Sequence, residues 1–171
     1  MTTLDFRNVC ERELRYVWTT LRRLGVREPD LPDVTQEVFI VVYQLLEDYD
    51  PTRPLRPWLF GIAYRIALRH RALARHRREV IGDEIADVPA EAPLPDEVVA
   101  RSRDRALVRR AIERIDVHRR AVFVLADLDG TPVPEIATAL GIPLNTAYSR
   151  LRRAREEFGD AITEMQKEDV R

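Results

Sequence analysis

The stretch Pro134-Glu135-Ile136-Ala137-Thr138-Ala139-Leu140-Gly141-Ile142-Pro143-Leu144-Asn145-Thr146-Ala147-Tyr148-Ser149-Arg150-Leu151-Arg152-Arg153-Ala154-Arg155 decides the fold class of this chain. It reads as a helix, a sharp turn and a second helix. Ile136, Ala137 and Leu140 form the apolar side of the first helix, and Gly141 supplies the backbone freedom the turn needs. Ile142 fills the gap between the helices. Pro143 suits the opening of the second, where a missing N–H is no loss. Ala147 and Leu151, four residues apart, face inward. Asn145, Thr146, Tyr148, Ser149, Arg150, Arg152 and Arg153 are left to face outward. A short outward face of amide, hydroxyl and guanidinium groups suits a DNA major groove. A plain helical hairpin with a solvated basic face has the same pattern.

Outside this motif the chain again reads as helix. Val9, Leu14, Val17, Trp18, Leu21 and Leu24 recur at helical spacing between about Asp5 and Leu24, with Gly25 as the stop. Asp33 stands where an N-cap belongs, ahead of Val38, Val41, Val42, Leu45 and Leu46. Pro57 and Trp58 open a third helix with Leu59, Ile62, Ala63, Ile66 and Ala67 as its apolar stripe. Residues 81 to about 101 bring Pro89, Pro93 and Pro95 among acids and alanines, which predicts a flexible linker. Helical spacing resumes near Asp104 with Leu107, Ala111 and Ile115. Val122, Leu125, Ala126 and Leu128 make another helix, ended by Asp129-Gly130. Phe158 and Ile162 extend the last helix, and a polar, frayed tail is expected from Glu164.

The 171 residues allow one medium domain or two small ones, and the net charge of −1 selects no partner. Its distribution is more telling. Arg65, Arg69, Arg71, Arg75, Arg77 and Arg78 stand together with His70 and His76, without an acid among them. Arg150, Arg152, Arg153 and Arg155 form a second acid-free cluster. Asp83, Glu84, Asp87, Glu91, Asp96 and Glu97 lie between the two. Two basic patches divided by an acidic segment suggest two nucleic-acid footprints. Cys10 is the only cysteine, so no intramolecular disulfide and no cysteine-rich metal site is expected. No apolar run reaches the roughly 18 residues of a membrane span, and no signal-peptide pattern opens the chain. His70, His76 and His118 form no ligand-like or catalytic group, and no glycine-rich phosphate loop is present. No cofactor, metal, small-molecule substrate or enzymatic activity is expected.

Three motifs follow one another: Asp33-Val34-Thr35-Gln36-Glu37-Val38-Phe39, then Trp58-Leu59-Phe60-Gly61-Ile62-Ala63, then the C-terminal pair of helices. In this order they resemble the sigma-70 family of bacterial transcription initiation factors, and within it the small extracytoplasmic-function (ECF) group that keeps only regions 2 and 4. The resemblance covers roughly residues 8–80 and 104–160. It implies an all-α protein of two small helical domains. These are a region 2-like bundle over residues 5–80 and a region 4-like helix-turn-helix over 104–163. An acidic, proline-containing linker over 81–103 joins them, and a tail covers 164–171.

The resemblance also assigns roles. Asp33, Gln36, Glu37 and Phe39 would dock on the β′ clamp helices of core RNA polymerase, and the β flap is a further contact. Trp58, Tyr64, Arg65, Arg69, Arg75, Arg77 and Arg78 would hold and melt the −10 element, although Trp58 fits the core better than direct base contact. Aromatic and planar cationic groups suit exposed base faces, while the arginines from Arg71 to Arg78 suit phosphates. Many relatives carry Arg-Asn where this chain has Tyr64-Arg65. Asn145, Thr146, Tyr148, Ser149, Arg150, Arg152 and Arg153 would read the −35 element, with Tyr148 where many relatives have lysine. An anti-sigma protein is an expected partner, and the expected location is cytoplasmic, on the nucleoid when active. A linker of about 25 residues spans at most roughly 80 Å. The promoter elements, some 17 base pairs apart by the same resemblance, lie about 58 Å apart. Two other classes fit part of the pattern. An operator-binding regulator would leave the Asp33–Phe39 and Trp58–Ala63 segments without a role, and an interaction protein would leave the arginines without one.

Overall fold

A computed structural model describes residues 5–81 and 96–169 of the chain. Among the described residues there are seven α-helices, joined by short 3-10 and π turns, and no strand. Helix α1 (Phe6–Arg23) is capped by Asp5, whose carboxylate accepts from the Arg7 N–H at 3.3 Å. It buries Val9, Val17 and Leu21, and Arg22 and Arg23 complement the negative end of its dipole. Gly25, at φ 88°, turns the chain. A 3-10 turn at Glu28–Asp30 runs straight into α2 (Leu31–Leu45). Asp33 therefore lies inside the first helical turn rather than at the cap expected for it, and Pro32 shares that turn. Helix α3 (Leu55–Ile81) starts two residues before Pro57. Leu59, Phe60, Ile62, Ala63, Ile66 and Ala67 on its first half are buried against α1 and α2, and from Arg75 to Val80 every residue is exposed.

The second group begins with α4 (Asp96–Arg114), which starts before the position near Asp104 expected for it. Residues 82–95, the greater part of the expected linker, lie outside the described residues. Helix α5 (Val117–Phe123) is capped by Asp116, which accepts from the His118 N–H at 3.0 Å, and it continues through a π turn at Val124–Leu128. Then come α6 (Val133–Leu140) and α7 (Leu144–Asp169), the pair foreseen in the deciding stretch. Ile136, Ala137, Leu140, Ala147 and Leu151 are all buried between them, as the spacing requires. Gly141 adopts φ 65°, ψ 38° and ends α6. An added Cβ at Gly141 would meet no atom within 4 Å. Gly141→Ala should thus cost only the left-handed backbone penalty, about 1–2 kcal/mol. Urea unfolding should show a lower midpoint at unchanged slope.

The tail differs from expectation. Helix α7 runs to Asp169, and Met165 is buried with Ala161 and Ala111 in a small cluster joined by Leu107, Phe158 and Ile162. That cluster fastens α7 to α4. The main core is continuous across both groups of helices: Leu21, Val38 and Phe60 from α1–α3 belong to one cluster with Leu125, Ile136 and Leu151 from α5–α7.

Candidate nucleic-acid interface and partner-binding helix

Helix α7 presents the candidate duplex-reading face. Asn145, Tyr148, Ser149, Arg152 and Arg153 are exposed around its first turns, while Thr146 and Arg150 are half-buried. The Ser149 hydroxyl donates to the Thr146 carbonyl at 3.0 Å, which holds it against the helix. Among the described residues neither Arg152 nor Arg153 takes part in an ion pair, which leaves two guanidinium groups for an anionic partner. Beside them lies an open groove lined by Val133, Asn145, Tyr148, Arg152, Arg155 and Glu156. Arg155, absent from the expected set, donates twice to Asp127, at 2.9 and 2.7 Å, and this hydrogen bonding raises its pKa. Its spacing of three from Arg152 was the signal that places it on the same side of α7.

Helix α2 presents a second candidate surface at its N-terminal end. Asp33 and Gln36 are exposed and Glu37 is half-buried. Glu37 accepts from Arg69 of α3, so a residue expected to meet polymerase is paired with one expected to meet DNA. Phe39 is only 8% exposed and packs in the core. It cannot contact a partner directly. Its ring belongs to the main core cluster rather than to the exposed surface of α2.

Helix α3 corrects the expectations most. Arg65, Arg75, Arg77 and Arg78 are exposed. Trp58 is half-buried and its ring lies 4.7 Å from that of Tyr49, within the packing of α1–α3. Tyr64 is 5% exposed. Its hydroxyl is 2.7 Å from Nδ1 of His118 at the start of α5, and burial, the main cause, holds the phenol above its ordinary pKa. Arg71 is turned inward and donates to the Leu24 carbonyl at 2.8 Å, so it does not stand among the phosphate-facing arginines. Burial and the neighbouring Arg75 lower its pKa.

Arg71 approaches a second inward arginine, Arg120 of α5, which is 5% exposed. Arg120 donates through Nε to the Ile115 carbonyl at 3.1 Å, through its terminal nitrogens to Ile115 again at 2.9 Å and to Arg23 at 3.2 Å, and also to Glu113. Burial, with Arg71 beside it, pushes its pKa down to about 10. The carbonyl of Arg23 belongs to α1, so this guanidinium ties α5 to the other group of helices. Among the described residues no group of histidine, cysteine and carboxylate side chains has the arrangement of a metal site. No described helix is long and apolar enough to cross a membrane.

Two family models match the chain: sigma-70 region 2 over residues 9–79 and sigma-70 region 4 over residues 105–158. The RNA polymerase sigma factor CnrH of Cupriavidus metallidurans is 35% identical over 147 residues, covering 80% of this chain and 75% of CnrH. The ECF RNA polymerase sigma-E factor of Escherichia coli is 30% identical over 142 residues, covering 78% and 74%. The chain is also similar to the solved structure of CnrH in complex with the cytosolic domain of CnrY, with a TM-score of 0.62 and 26% identity over 93% of this chain and 88% of CnrH. The fold alone is shared with the sigma factor RpoE of Bartonella quintana, solved in complex with the anti-sigma factor NepR, at a TM-score of 0.71 and 19% identity over 93% and 97% of the chains. The chain belongs to the sigma-70 family of RNA polymerase sigma factors, in its ECF group. Members of this class bind core RNA polymerase and direct promoter-specific transcription initiation.

Proposed function

We propose that residues 5–80 act as the polymerase-binding and −10 unit and residues 104–163 as the −35 unit, with 81–103 as the connection and 164–171 as a tail. Asp33, Gln36 and Glu37 meet the β′ clamp helices. Arg65, Arg69, Arg75, Arg77 and Arg78 track the backbone of the melted strand, and Tyr64 and Trp58, both packed in this structure, belong to the same helix. Asn145, Thr146, Tyr148, Ser149, Arg150, Arg152 and Arg153 read the −35 duplex. The observation that carries this reading is α7. It is a positioned helix whose exposed N-terminal turns bear an amide, two hydroxyls and guanidinium groups that form no ion pair among the described residues, next to a left-handed glycine turn. Catalysis belongs to the polymerase, and the protein works in the cytoplasm. Relatives solved with CnrY and NepR support control by an anti-sigma protein here too.

The experiment is transcription in vitro with purified bacterial core polymerase on a genomic-fragment library, with and without this protein. Discrete start sites that depend on the protein are expected. A protein-dependent palindromic footprint in the absence of polymerase, with no new start sites, would replace this reading with that of an operator-binding regulator.

A further inference from the structure

Every tyrosine of the chain but one has a task inside the fold. The hydroxyls of Tyr16, Tyr49 and Tyr64 are hydrogen-bonded to Asp129, to the Arg53 carbonyl and to His118. The ring of Tyr43 meets that of Phe6 edge to face at 5.0 Å. Tyr148 is 53% exposed, and among the described residues neither its ring nor its hydroxyl has such a partner. Leu144, one turn before it on α7, is 43% exposed. Residues four apart are neighbours on a helix face. Leu144 and Tyr148 thus form a short apolar strip on α7 that runs on into Arg152. Val133, at the start of α6, lines the same open groove as Tyr148 and Arg152.

A leucine side chain and the face of a phenol ring gain nothing from a phosphate. In the major groove the 5-methyl group of thymine is the apolar feature of a base edge, while the other bases present hydrogen-bonding groups there. We propose that Tyr148, backed by Leu144, selects thymine in the −35 element by packing its ring against that methyl group, one helical turn from the Arg152 contact. The inference rests on the duplex-reading role assigned to α7 above. One methyl group withdrawn from water is worth about fourfold in binding. A helical turn rises about 5.4 Å and base pairs stack about 3.4 Å apart, so the selected thymine lies within about two base pairs of the Arg152 contact.

Holoenzyme assembled from core polymerase and the full chain is tested on one promoter mapped in the transcription assay above. Each thymine of its −35 element is exchanged in turn for deoxyuridine, which keeps the base pair and removes only the methyl group. Start-site use is measured at limiting holoenzyme for the unchanged chain, for Tyr148→Phe and for Tyr148→Ala. The side chain is exposed, so both variants should unfold at the temperature of the parent. At the sensitive position, cytosine with and without a 5-methyl group supplies the converse comparison.

One deoxyuridine exchange is expected to lower start-site use about fourfold with the unchanged chain and with Tyr148→Phe, and to have no effect with Tyr148→Ala. With the unchanged chain, 5-methylcytosine at that position should be used about fourfold better than cytosine. A −35 element without thymine, or one in which no exchange matters, overturns the proposal. An effect that persists in Tyr148→Ala also overturns it, because the methyl group is then sensed by another side chain or through DNA shape. Sensitivity that vanishes already in Tyr148→Phe overturns the ring contact in favour of the hydroxyl. If no exchange matters while Arg152→Ala with Arg153→Ala still removes start-site use, α7 remains the duplex reader and only the thymine assignment falls. If that double variant is as active as the parent, the duplex-reading role of α7 fails and the thymine assignment falls with it.

Discussion

Arg152→Ala combined with Arg153→Ala is expected to lower protein-dependent start-site use by about 100-fold. An arginine at a phosphate or a guanine edge is worth about 1–3 kcal/mol. Two of about 1.35 kcal/mol each, within that range, make about 2.7 kcal/mol, a hundredfold in rate. Both side chains are exposed, and among the described residues neither has an ionic partner, so thermal unfolding should be unchanged. The salt dependence of promoter binding should flatten by nearly one power of salt for each phosphate contact removed. The discriminating measurement is transcription from one mapped promoter at several salt concentrations, with unfolding followed on the same preparations. Unchanged start-site use would remove α7 as the duplex reader. A fall in activity matched by a fall in melting temperature would point to misfolding instead.

Arg120→Met should be the most damaging of the arginine substitutions to stability. Three backbone carbonyls, from Glu113, Ile115 and Arg23, accept from this one guanidinium. Methionine fills a similar length but donates nothing. Each buried acceptor left without a donor costs about 1–3 kcal/mol, so a loss of about 3–5 kcal/mol follows. For a chain of this size that lowers the melting temperature by about 10 °C or more. Arg120→Lys keeps the charge but cannot reach three carbonyls in a fan, and should fall between the two. Differential scanning calorimetry of the three proteins decides the matter. A methionine variant within about 1 °C of the parent would mean that the carbonyls find water, and that the buried arginine is not the tie between α1 and α5.

The contrast between α7 and Arg120 shows what a linear reading can reach. The helix-turn-helix was legible because its determinants are local. Gly141 has a backbone conformation of its own, and Ile136, Leu140, Ala147 and Leu151 repeat at a period that only one structure satisfies. Membership of the family was legible for the same reason, through three short motifs in order. The start of α2 was not, since Pro29 and Pro32 punctuate a stretch where a 3-10 turn passes directly into the helix. Phe39, expected on the docking surface, is a core residue because an aromatic side chain in a short motif does not say which way its helix faces. Arg71 and Arg120 look like solvated charges in sequence, and their inward placement depends on carbonyls at helix ends that accept from them, Leu24 and Arg23 being far away along the chain. Tyr64 is buried, and its hydroxyl partner lies 54 positions away. Contacts made by a few polar tips leave no periodic trace.

The fastening of α7 to α4 has a mechanical consequence. At about 1.5 Å per residue, the 26 residues of α7 form a rod of about 39 Å. Its leading turns carry the side chains proposed to read a base sequence, while Ala161 and Met165 further along are seated on Ala111 of α4. The rod is therefore held at two places, by Leu151 and Ala154 in the main core and by the cluster on α4. The pitch at which Asn145 and Arg152 would enter a groove is thus set in part about three to five turns away, by that second seat. Selection for a new promoter can therefore act on this seat as well as on the tip.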